Sequence, residues 1–137
     1  MIRVRNFEQD DLKKINVQAA QKHEAGYLPY AGISEIYTVF EDTQNDIICI
    51  IVCTPLTKDR CNIGALVSAD SGKYFVALRS LVFKILEVYS VFTRLEATIK
   101  ADFEQGHRLA KLLGFEYEGT LRKFSNGEDY CMYARVK

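Results

Sequence analysis

The stretch LAKLLGFEYEG, residues 109–119, passes from helix to strand through a single glycine. Leu109, Leu112 and Leu113 recur at helical spacing and form an apolar edge, with Arg108 and Lys111 outside it. Gly114 takes the left-handed stop that a residue with a Cβ resists. Phe115 then plugs the joint, and Glu116, Tyr117 and Glu118 start a strand at once. No loop separates the two elements, so the chain turns back sharply and both share one core.

The rest of the chain supplies partners for that joint. IRVRNF reads as a short strand. Asn6-Phe7-Glu8-Gln9 reads as a capping box, with Asp10 and Asp11 in a first helical turn where the dipole favours acids. Leu12, Ile15, Ala19 and His23 continue that helix and Gly26 ends it. His23 lies on its apolar side, either as a satisfied core histidine or as a substrate-facing base. GYLPYAGIS, 26–34, is a loop. EIYTVFE and DIICIIVCT are strands, the second so apolar that it is predicted central and covered on both faces. CNIGALVSA is the next strand. Residues 73–92 are apolar almost all round, which predicts a largely buried helix. RLEATIKA is a strand, and Asp102-Phe103-Glu104-Gln105 a second capping box. Asn126-Gly127 between two strands predicts a type I′ hairpin.

The order is strand, helix, three strands, helix, strand, helix, hairpin. With no linker or repeat in its 137 residues, the chain reads as one α/β domain, residues 1–137, built on a mixed sheet with helices on both faces. Lys plus Arg is 18 and Asp plus Glu is 18, so no charge footprint points to nucleic acid or an anionic membrane. No run approaches membrane-spanning length and MIRVRNF has no apolar signal core, which points to the cytoplasm. Cys49, Cys53, Cys61 and Cys131 lack the spacing of a metal knuckle. Cys49 and Cys53 sit on one face of an apolar strand, ~13 Å apart. That is too far for a disulfide in a regular strand, so both are expected buried and reduced.

The full order, together with KLLGFEYEGTLRKFSNGEDYCMYARV, resembles the GCN5-related N-acetyltransferases (GNAT), whose last helix often ends in Leu-Gly-Phe. Within that family, RLEATIKADFEQGHRLAKLLGFEYEG is most similar to the small acetyltransferase-like proteins of tailed phages and prophages, some named internal virion protein A. The resemblance implies a single GNAT-like domain. It also implies two strands that splay to admit the pantetheine arm of acetyl-coenzyme A, expected here at residues 94–100 and 116–123. Leu109, Leu112, Leu113 and Phe115 are expected buried below them.

The resemblance further implies site positions. Active members hold the cofactor pyrophosphate on a glycine-rich turn before the long helix, because glycines let backbone N–H groups approach phosphate. The turn here is SADSGKYF, where only Gly72 of the expected glycines remains and Lys73 offers a point charge. Backbone at Leu66, Val67 and Ser68 would hold the pantetheine. The tyrosine that commonly acts as general acid in the last helix is replaced by Ala110, which leaves His107 and Tyr117 as the nearest candidates. Glu96 is the candidate base. It shares a strand face with Thr98, and burial would raise its pKa; ion pairing with Arg94, Lys84 or Arg79 is the alternative.

Two functions follow from the resemblance. One is a coenzyme A-dependent N-acetyltransferase acting on an amine, with a degenerate cofactor loop. The other is a non-catalytic phage virion or assembly protein that keeps the fold and binds phage structural proteins. A homo-oligomer is compatible with either, as is a place in the host cytoplasm or the virion.

Overall fold

A computed structural model describes residues 1–18, 21, 22 and 34–137. The strands are β1 (Ile2–Asn6), β2 (Glu35–Glu41), β3 (Asp46–Pro55), β4 (Arg60–Val67), β5 (Arg94–Lys100), β6 (Glu116–Ser125) and β7 (Glu128–Val136). Among the described residues the main helices are α1 (Asp11–Lys14), α2 (Phe75–Val88, preceded by a 3-10 turn at Ser71–Tyr74) and α3 (Glu104–Leu112). The strands form one mixed sheet in the order β1-β2-β3-β4-β5-β7-β6. Every neighbouring pair is antiparallel except β4 and β5.

The element order and the mixed sheet are those expected from the sequence. β3 is covered on both faces, with Ile50 and Ile51 fully buried. Cys49, Ile51 and Cys53 pack with Leu78, Val82 and Leu86 of α2 and with Ala110, Leu113 and Phe115 of the α3 joint. On the opposite face Ile47, Ile50 and Leu66 pack with Ile15 and Leu12. The joint itself is a Schellman stop. Gly114 has φ +89° and donates to Lys111 O at 3.1 Å, while the Phe115 N–H reaches Ala110 O at 2.9 Å. Asn126 and Gly127 both have positive φ, 52° and 70°, as a type I′ hairpin requires.

Four local expectations are corrected. Neither capping box forms. Asn6 is the last residue of β1, and α1 runs only from Asp11 to Lys14 instead of on through Ile15, which is extended while Val17 bridges Ser68; the Asp11 carboxylate is taken by Arg5 rather than left to the helix dipole. Phe103, not Asp102, precedes α3, and no side chain caps it. Helix α2 buries one stripe only, Leu78, Val82, Ile85 and Leu86, and exposes Val76, Phe83 and Val88. Phe83 is partly covered by the Arg135 guanidinium, 4.9 Å from its ring centre. Leu112 is 45% exposed, because the inner face of α3 runs through His107, Ala110 and then Leu113.

The fourth correction concerns the splay. β6 never neighbours β5, since β7 lies between them and pairs with both. The tight hairpin returns β7 beside β5 and leaves β6 at the sheet edge. The strands that part are β4 and β5. His23, Gly26 and most of the 26–34 loop lie outside the described residues.

Cys49 and Cys53 are buried and free, as expected. Removal from water pushes both thiols up to about 12, and burial raises Cys61 as well. A thiol reagent added to the native protein is therefore expected to modify half-buried Cys131 first. The other three should react only as fast as the chain opens. Rapid native labelling at Cys49 or Cys53, located by peptide mass mapping, would contradict this packing.

Candidate functional site

β4 and β5 pair in parallel only at Arg60–Arg94, Cys61–Leu95 and Asn62–Glu96. Beyond these residues the two strands separate, and a cleft of about 420 Å³ opens between them. Its walls are largely apolar: Ile63, Leu109, Leu113 and Phe115 contribute, with Ala97 and Ile99 of β5. Asn62, Thr98 and Tyr130 bring polar atoms to the same space. The parting leaves this edge of β4 unpaired by β5. Along a strand, backbone groups alternate in direction. The Ser68 N–H donates across to Ile48 O of β3 at 2.8 Å, so Val67 and Ala65 turn theirs the other way, into the cleft.

The closed end is held by charge. Arg60 donates to Glu96 at 2.8 Å and Arg94 to the same carboxylate at 2.7 Å. Arg94 also makes a two-pronged contact with Glu118 at 3.0 and 2.6 Å. These bonds clamp β4 to β5 where they still pair.

The proposed catalytic residues do not converge on the cleft. Glu96 is buried but not part of the lining. The Arg60 guanidinium, with Arg94 beside it, holds its carboxyl below the usual carboxylate range despite burial. Of the two expectations for Glu96, the ion pair with Arg94 forms and the rise does not, because two arginines outweigh desolvation. His107 is buried, with its Nε2 2.9 Å from Ala101 O and its Nδ1 2.9 Å from the Tyr133 hydroxyl. A carbonyl only accepts, so Nε2 carries a proton. Burial raises the Tyr133 phenol. Tyr117 is 54% exposed, with its hydroxyl 2.7 Å from Thr120 Oγ1 and its ring edge-on to Tyr133. His107 and Tyr117 thus meet around Tyr133, outside the cleft lining.

The cofactor candidates are split in the same way. Leu66 and Val67 line the cleft, but only Val67 turns its N–H into it. Ser68 faces β3, and its hydroxyl accepts from the Asp70 N–H at 3.1 Å. Gly72 and Lys73 are exposed in the 3-10 turn, where Lys73 Nζ lies 5.3 Å from the Tyr74 ring centre. The Ala69 N–H is taken by Asn16 O at 2.8 Å.

Sequence reading missed the polar lining, Asn62, Thr98 and Tyr130, and also Gln21. The Gln21 carboxamide bonds Ala65 and Val67 across a sequence distance no local pattern encodes. Among the described residues no cluster of His, Cys, Asp or Glu could hold a metal ion.

A parallel pair parting into an apolar cleft, in a seven-stranded mixed sheet of this order, decides the architecture. The fold is the GNAT fold. The GNAT-family acetyltransferase from Bacillus anthracis superposes at a TM-score of 0.69 with 16% identity, over 98% of this chain and 94% of that one. The ribosomal-protein-S5-alanine acetyltransferase from Vibrio fischeri gives 0.69 with 15% identity, over 98% and 92%. The spermidine/spermine N-acetyltransferase from Vibrio cholerae gives 0.69 with 17% identity, over 98% and 92%. No family model matches the sequence. No curated protein matches it either. At these identities the GNAT likeness establishes architecture, and activity rests on the site.

Proposed function

We propose that the chain is a coenzyme A-dependent N-acetyltransferase of phage or prophage origin with a degenerate pyrophosphate turn. The observation that carries this reading is the cleft between β4 and β5. It presents a strand edge, Ala65 and Val67, to an apolar slot of about 420 Å³. An extended arm bearing amides fits such an edge, because it can supply the pairing that β5 withdraws. The turn fits less well. The Ser68 and Ala69 N–H groups are already bonded to Ile48 and Asn16 carbonyls, and the Asp70 carboxylate stands beside them. Gly72, Lys73 and the start of α2 are what remains for a diphosphate.

Bound acetyl-coenzyme A would supply a thioester carbon open to attack by an amine. The backbone of Ala65 and Val67 would orient the arm, and Ile63, Leu109, Leu113 and Phe115 would exclude water. Glu96 stands outside the lining, with its carboxylate engaged by two arginines. Asn62 and Thr98 of the lining would hold a water that takes the amine's proton.

Each lost phosphate donor removes about 1.5–3 kcal/mol. Two such losses raise a dissociation constant by roughly two to four decades, which takes a micromolar site to millimolar. Calorimetric titration with acetyl-coenzyme A should therefore give weak binding. Acetyl-pantetheine should bind within about threefold of it, since the arm contributes most contacts. Thiol release on adding primary amines would complete the case. The competing reading, a non-catalytic virion or assembly protein, is favoured by the occupied turn amides. Silence up to millimolar ligand would select it.

A further inference from the structure

The strand edge that the cleft offers is already in use. Gln21 is buried, its Nε2 donates to Ala65 O at 2.6 Å, and its Oε1 accepts the Val67 N–H at 2.9 Å. One carboxamide thus bridges the carbonyl of one residue and the N–H two residues later. A residue in a parallel neighbouring strand makes the same two bonds through its own N–H and C=O, which belong to successive peptide units. Gln21 imitates, opposite Leu66, the strand that β5 no longer provides.

We infer that Gln21 is a built-in occupant of the cleft, which an amide-bearing ligand must displace to bind. The inference rests on the acyltransferase reading for the identity of that ligand. Asn16, Val17 and Gln18, just before it in sequence, are strapped to the end of β4. Asn16 O accepts the Ala69 N–H at 2.8 Å, Val17 bridges Ser68, and Gln18 Nε2 donates to Ser68 O at 3.3 Å. The side chain alone need move. Rotating it out breaks the two hydrogen bonds to β4, which the N–H and C=O of two successive amides on an incoming arm remake on the same atoms. A ligand without an amide would leave a buried carbonyl and N–H unpaired, which is costly. The device therefore lowers affinity for every ligand and penalises those lacking an amide most.

The test uses the whole chain and acetyl-coenzyme A as the probe. Gln21→Ala removes the competitor, so calorimetry should show binding roughly tenfold to a hundredfold tighter than wild type. In the wild-type protein, NMR should show slow exchange of the Gln21 side-chain amide protons, and release of that protection at saturating ligand. Equal or weaker binding by Gln21→Ala, with wild type still binding, overturns the plug and leaves the acyltransferase reading standing. Absence of binding by both proteins up to millimolar ligand overturns the acyltransferase reading and the plug with it. Binding by the variant alone supports both. Should Gln21→Ala fail to fold, the wild-type exchange decides: side-chain protons that stay protected with ligand bound reject displacement.

Discussion

Phe115→Ala is expected to lower the free energy of unfolding by about 3–5 kcal/mol, the range for truncating a buried phenylalanine. Phe115 is 5% exposed and packs with Leu113, Ala110 and the α2 stripe. It also lines the cleft. Space vacated by the ring joins that cleft and can admit water, which favours the lower end of the range. The backbone stop should survive, because its bonds run from the Gly114 and Phe115 N–H groups to Lys111 and Ala110. Urea denaturation of wild type and variant measures the loss. Leu112→Ala serves as control, and with Leu112 45% exposed it should cost under about 1 kcal/mol. A loss below about 1.5 kcal/mol for Phe115→Ala would mean that the ring is not part of the core.

That pair of residues shows what the sequence could reveal. The Leu-Gly-Phe joint is a local device, fully specified by a glycine stop and its neighbours, so its position and conformation were legible. The Asn-Gly hairpin and the continuous apolar run of β3 were legible for the same reason. Leu112 was misjudged because helical spacing finds a stripe without its centre, and His107 and Ala110 hold the centre here. The exposed apolar residues of α2 were misjudged similarly, since composition does not say which side meets the sheet. The cleft was legible only through the resemblance, and was placed on the wrong pair of strands. Strand order is a long-range choice: nothing in residues 94–136 states that β7 inserts between β5 and β6. The site suffered most. Glu96 was singled out for a raised pKa, but its value is governed by Arg60, on another strand. Gln21 bonds β4 across 44 and 46 residues of sequence, and a lone glutamine in a helical pattern carries no signal of that.

Asp11 shows how much such a long-range contact can weigh. The sequence offers it as one more acid in a first helical turn, whereas the fold buries it completely. Arg5 makes a two-pronged contact with it at 2.9 and 2.8 Å, the Thr38 hydroxyl donates at 2.7 Å and the Glu8 N–H at 2.9 Å. Burial pushes the carboxyl up, but these four bonds prevail and hold it at about 2 against an ordinary 3.8. Asp11→Ala leaves a partly buried guanidinium, a buried hydroxyl and a backbone N–H without their acceptor. The expected loss is about 3–5 kcal/mol at neutral pH, near the lower end because Arg5 retains some contact with water. The pH dependence follows from the depressed folded pKa. The stabilisation is complete above about 4, where the unfolded chain is also ionised, and it fades as pH falls toward about 2. Across that window the shift is worth about 2 kcal/mol. Other depressed carboxylates, Asp42, Glu96 and Glu118, titrate at acid pH too, so the wild-type curve alone does not isolate Asp11. The comparison with Asp11→Asn does. Urea unfolding of both proteins at closely spaced pH values should show the gap between them constant above pH 4 and narrowing below it. A gap that stays constant down to pH 2, or a neutral-pH loss under about 1 kcal/mol in Asp11→Ala, would show that the Arg5–Asp11–Thr38 cluster does not anchor α1 to the sheet.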